Sequence, residues 1–150
     1  MKKSRVAFLG LFTAFAMILS FVESQIPTFV AIPGIKLGLP NIAIIIILYR
    51  FGWKEASIIS LLRVILTSLL FGTVLSMLYS IAGAVLSLVA MILLKKFLST
   101  VTISVIGGVC HNIGQILVAI LVTETQQLLY YLPVLIISGV IAGIVVGIIA

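Results

Sequence analysis

Residues 37 to 63 read LGLPNIAIIIILYRFGWKEASIISLLR, and the number of times this stretch crosses a membrane decides the fold. Its first apolar segment, 37 to 49, is short for the ~30 Å hydrocarbon core of a bilayer. Its second, 56 to 72, carries Arg63 inside the run. Arg50 and Lys54 lie between the two.

Outward from this stretch the chain is simpler. Segments 6 to 22, 73 to 94, 101 to 123 and 132 to 150 are apolar and long enough to span the core at ~1.5 Å rise per residue. With six crossings and the amino terminus inside, Lys2, Lys3, Arg5, Arg50, Lys54, Lys95 and Lys96 all face the cytoplasm, as the positive-inside rule demands. Lys36 alone is left in an outer loop. If one doubtful segment fails to cross, the Lys95–Lys96 pair moves outside. If both fail, Arg50 and Lys54 are stranded outside, so four spans remain the lesser alternative.

The expected fold is all-α: a polytopic membrane bundle of six transmembrane helices with both termini cytoplasmic, forming a single domain over 1–150. The expected outer loops are 23 to 36, a tight turn near Phe71-Gly72-Thr73, and 124 to 131. The expected location is the cell membrane, as a multi-pass protein.

Composition supports the lipid bilayer as the solvent. The chain is 63% hydrophobic and 8% charged with a mean hydropathy of +1.47, leaving almost nothing for a water-facing surface. The net charge of +6 forms no basic stripe with interleaved aromatics, so nucleic acid is not an expected partner. Cys110 is the only cysteine, which excludes an intramolecular disulfide and a cysteine-rich metal site. The basic start followed by an apolar run resembles a signal peptide, but Glu23-Ser24-Gln25 offers no small-residue cleavage site. A retained first span is expected.

Three polar groupings stand out. Arg63 within a span costs ~2.5 to 3.5 kcal/mol on insertion scales, so it should face the bundle interior. There it either contacts an anionic ligand or pairs structurally with a carbonyl, Glu or polar side chain. Cys110-His111-Asn112-Ile113-Gly114-Gln115 places His111 and Gln115 on one helical face. Such groups either bind substrate from the same cavity or hold helices together by hydrogen bonds. Pro33 to Asn41, with Lys36 and Asn41 as polar contacts, is either a ligand-approaching loop or a plain membrane-entry turn.

Small residues recur at four-residue spacing as Gly10 and Ala14, as Ser76, Ser80 and Ala84, and as Gly139, Gly143 and Gly147. The last two rows predict close internal helix packing, and the first is a candidate for docking a partner.

The missing motifs point away from catalysis. There is no G-x-x-x-x-G-K-[ST] loop. Asp is absent altogether, which removes any aspartate-rich magnesium–diphosphate motif and any Ser-His-Asp arrangement. One His and three Glu are a poor inventory for acid–base chemistry. No catalytic residue, metal site or cofactor is expected, and the chain reads as a binder or conduit rather than an enzyme.

The basic amino terminus, Gly34-Ile35-Lys36-Leu37-Gly38-Leu39-Pro40-Asn41, Arg63, Tyr79-Ser80-Ile81-Ala82-Gly83 and His111-Asn112-Ile113-Gly114-Gln115 together resemble the bacterial Gx transporter family, also labelled heptaprenyl diphosphate synthase component I. That family in turn resembles the substrate-binding S-components of energy-coupling factor transporters, six-helix proteins that work with a transmembrane coupling protein and cytoplasmic ATPases. The resemblance implies a substrate-binding membrane subunit taking up a small anionic or polar molecule. Lys36, Asn41, Arg63, His111, Asn112 and Gln115 would then line or support the pocket, and Gly10 and Ala14 would stand at the partner-docking position. The synthase label implies the alternative, a non-catalytic accessory subunit for a prenyltransferase.

Overall fold

The computed structural model describes residues 2–25 and 38–150. Six α-helices follow one another: α1 (Lys2–Gln25), α2 (Asn41–Arg50), α3 (Trp53–Phe71), α4 (Val74–Leu94), α5 (Thr100–Thr123) and α6 (Leu132–Ile149). A short 3₁₀ helix, Gln126–Tyr131, precedes α6. Each expected apolar segment becomes a helix, with no strand among the described residues. α1, α4, α5 and the run through α6 are each long and apolar enough to cross a bilayer. α3 has 19 residues, about 28 Å of helix, but carries Lys54, Glu55 and Arg63. α2 has only 10 residues, about 15 Å.

Successive helices alternate in direction, as side-chain pairs at both ends show. At one end Arg5 of α1 forms an ion pair with Glu55 of α3, and Lys95 Nζ donates to the Leu48 carbonyl of α2 at 3.3 Å. At the other, the rings of Phe21 and Phe71 lie 5.0 Å apart. Close approaches of Gly108 to Gly139 and of Val101 to Gly147 run α5 and α6 antiparallel. Arg5, Arg50, Lys54, Lys95 and Lys96 therefore share one end, the end that the positive-inside rule assigns to the cytoplasm.

α2 is the centre of the bundle despite its length. Ile42, Ile44, Ile45, Ile47 and Leu48 are all buried, and they pack with Ile59, Met91, Ile103 and Val146 from four other helices. A helix apolar on every side is one covered on every side. It ends at a two-residue turn, where Gly52 at φ +109° takes a backbone conformation that a side chain would strain. Lys95 and the terminal Arg50 add positive charge at its carbonyl end, complementing the helix dipole.

The expected glycine row of α6 packs as a helix seam, and in the α4 row Ser80 and Ala84 are buried. A Cβ on Gly139 would lie 3.0 Å from the Gly108 backbone, and one on Gly147 would lie 2.6 Å from Val101 Cα. By contrast, most of α1 is left uncovered, and its large apolar side chains Val6, Leu11 and Ile18 face outward, as lipid-facing positions do.

The turn near Phe71-Gly72-Thr73 is closed by reciprocal capping. Ser76 N–H donates to Thr73 Oγ1 at 3.1 Å, and Thr73 N–H donates to Ser76 Oγ at 2.9 Å. Thr73→Ala is expected to lower stability by about 1 kcal/mol. Thermal unfolding in detergent should show this as a small drop in midpoint, and an unchanged midpoint would mean that lipid or water satisfies the freed amide.

Candidate functional site

Glu23 was expected in an outer loop, and the structure corrects this. α1 runs on to Gln25, and Glu23 lies only 3% exposed against the chain that enters α2. Its Oε1 accepts from the backbone N–H of Gly38, and from that of Leu39 at 3.3 Å. Both amides belong to the turn that leads into α2, just before Asn41, where the positive end of the helix dipole favours an anion. Gly38 sits at φ +91°, and a Cβ there would also press on Asn41 Nδ2 at 3.1 Å. Glycine is what lets the two amides turn towards one carboxylate.

One turn back along α1, Ser20 lies on the same buried face. Its Oγ donates to the Ala16 carbonyl at 3.0 Å and accepts from Arg63 Nη1 of α3 at 3.4 Å. Arg63 is 6% exposed, as its cost in lipid requires. The Glu23 carboxylate is near enough for its negative charge to act on the guanidinium. Arg63 Nε and Nη2 and the Thr67 hydroxyl one turn on have no hydrogen-bond partner among the described residues. Glu23, Ser20, Arg63 and the Gly38–Leu39 amides thus form one polar group where α1, α3 and the entry to α2 meet.

The α4–α5 seam holds a second polar group. α5 comes so close to α4 at Gly83 that a Cβ there would meet the His111 carbonyl at 2.7 Å and Gln115 Cγ at 2.9 Å. A Cβ on Gly114 would likewise meet the α4 backbone, 2.8 Å from the Ala82 carbonyl oxygen. His111 and Gln115 are fully buried there, facing α4 together as their spacing predicts. Ser80, on the buried face of α4, has no hydrogen-bond partner among the described residues.

Asn112 turns the other way. Its Nδ2 donates to the Leu135 carbonyl at 2.7 Å and to Ser138 Oγ at 3.2 Å, both on α6. Nδ2 thus serves interhelical hydrogen bonding, while the buried Oδ1 has no hydrogen-bond partner among the described residues. Asn41 is buried at the first turn of α2, beside the Glu23-bound amides. Lys36 lies outside the described residues. Gly10 and Ala14 are both on the exposed face of α1, and a Cβ on Gly10 would meet nothing within 4 Å.

Compared with known proteins, residues 12–150 match the family model described as heptaprenyl diphosphate synthase component I. The chain belongs to that family. No curated protein matches it. No solved structure matches it either.

In this component I family member, Glu23 and Arg63 are the charged side chains buried among the described residues, with His111 buried apart from them at the α4–α5 seam. The residue missed by the sequence reading is Glu23. A charge that follows a long apolar run reads as the end of a span, and only its i, i+3 relation to Ser20 placed it on an inward face. Chemically the arrangement can hold a polar molecule by hydrogen bonds, but it offers no carboxylate pair or metal-ligand set for bond breaking among the described residues.

Proposed function

We propose that this chain is the non-catalytic membrane subunit of a two-part heptaprenyl diphosphate synthase, acting beside a separate prenyltransferase subunit. The family match across residues 12–150 carries this reading. The inventory of the chain agrees with it: without a single Asp it has no aspartate-rich motif to hold magnesium on an allylic diphosphate. Its role is then to bring the soluble partner to the bilayer, where a long polyprenyl product is soluble and water is not.

A second reading has one observation in its favour. Arg63 Nε and Nη2, Thr67 Oγ1 and Ser80 Oγ are buried donors or acceptors without partners among the described residues, a pattern expected of a site that closes on a small molecule. On that reading the chain is the substrate-binding subunit of an energy-coupling-factor-type transporter. Because Glu23 already acts on Arg63, a neutral polar molecule fits the interior better than an anion.

Gentle purification from native membranes separates the two. A soluble prenyltransferase is expected to copurify, and the reconstituted pair is expected to form long-chain product faster than the partner alone. Recovery of a coupling protein with ATPases instead, and no effect on prenyl transfer, would overturn the accessory reading in favour of the second.

A further inference from the structure

At the arginine-rich end, the start of α1 and the end of α2 leave a groove of about 470 Å³ lined by Ser4, Arg5, Phe8, Arg50 and Phe51. This is within the size range of small-molecule sites, ~300 to 1,000 Å³. Its two characters are separate. Phe8 and Phe51 pack ring against ring, 5.1 Å between centroids, and give it an apolar wall. Arg5 and Arg50 are both exposed and give it a cationic rim.

The rim retains capacity for an anion. Arg50 has no ion pair among the described residues. Arg5 pairs with Glu55 through Nη2, and the same pair fixes its side chain across the α1–α3 junction. A guanidinium carries five donors, so one carboxylate contact leaves the rest to a second oxyanion. Lys54, Lys95 and Lys96 add charge at the same end, where Glu55 is the one acid. Leu11, one turn on from Phe8 along α1, is exposed on the same side of the helix and extends the apolar wall. The groove therefore combines what an anionic headgroup needs with what a hydrocarbon tail needs, at the level where a bilayer presents both.

We propose that this groove binds the diphosphate headgroup of a prenyl chain, with Arg5 and Arg50 clasping its oxygens and Phe8 and Phe51 receiving the first isoprene units. The choice rests on the prenyl-diphosphate reading above. Two guanidinium forks suit the concentrated charge of a diphosphate better than the single charge of a phospholipid phosphate, and one linear tail suits a single aromatic wall.

The test uses the purified full chain in phosphatidylcholine nanodiscs, with geranylgeranyl diphosphate as probe. Saturable binding is expected, weakened about tenfold or more by Arg50→Gln and less by Arg50→Lys, which keeps the charge but loses the fork. Lys54→Gln, which removes an equal charge outside the groove, should change affinity less than twofold. Equal losses in Arg50→Gln and Lys54→Gln would reduce the effect to diffuse electrostatics and overturn the proposal. Displacement of the probe by phosphatidylglycerol at matching concentration would make this a phospholipid headgroup site and overturn the prenyl assignment. No prenyltransferase is present, so probe binding that survives a failed copurification sinks only the accessory reading, and copurification without probe binding sinks only the groove.

Discussion

Glu23→Leu is expected to destabilise the protein by about 3–5 kcal/mol, the penalty for leaving a buried charge without its counter-charge. Arg63 would remain in the apolar interior with Ser20 at 3.4 Å as its one hydrogen-bond partner among the described residues, and the Gly38 and Leu39 amides would lose their acceptor. Glu23→Gln separates the two losses. It keeps an oxygen for the amides but not the charge, so it should fall between wild type and Glu23→Leu. The double variant Glu23→Leu with Arg63→Leu should recover much of the stability lost by either alone, since two apolar side chains replace a charge pair without stranding either member. Reversible unfolding in mixed detergent micelles gives the four free energies of the cycle. Additive losses would show that Glu23 and Arg63 act independently, and the polar group would then be two unrelated sites.

The second large effect is expected at Gly143. In helices generally, glycine to alanine gains up to ~1 kcal/mol of propensity. Here the added Cβ would fall 2.4 Å from Val105 Cα and 2.7 Å from the Ser104 carbonyl, both backbone atoms that cannot turn aside. Gly143→Ala should therefore reverse the usual sign and cost about 1–3 kcal/mol as α5 and α6 are forced apart. Gly143→Leu should abolish the folded monodisperse protein. Gly10→Ala is the control, because nothing lies within 4 Å of the position a Cβ would take. It should be neutral or slightly stabilising. A melting series showing equal midpoints for Gly143→Ala and wild type would mean that the seam relaxes freely and that the glycine row is not needed for close approach.

Separation of the helices at Gly143 would also disturb Asn112, whose amide bridges to Leu135 and Ser138 across the same seam. The fifth and sixth helices are thus held by close backbone approach along one row and by the two Asn112 hydrogen bonds beyond it. Residues singled out as one ligand-binding cluster in the sequence divide here by helical angle. His111 and Gln115, four apart, face α4, whereas Asn112, 100° further round, faces α6.

Much of the fold was legible before any coordinates. Lipid as solvent follows from composition. Six apolar segments coincide with six helices to within a few residues, because charge, proline and glycine interrupt a bilayer-length run sharply. Charge parity placed Arg50 and Lys54 at the same end as Lys95, and the contact of Lys95 with Leu48 agrees. Glycine and small residues at four-residue spacing marked the α5–α6 seam, since i, i+4 repetition is a local property of the helix.

What only tertiary structure decided has a common cause: it depends on partners far away in the chain. α2 looks like a marginal span, yet it is the covered centre of the bundle, which no count of its own 10 residues reveals. Glu23 looks like the polar start of a loop. It becomes a buried acid because the backbone amides that need it lie 15 and 16 residues downstream, and the cation it faces lies on a third helix. Periodicity and charge report what each segment requires from its surroundings, a buried face or a counter-charge, and the packing of the helices selects which segment supplies it.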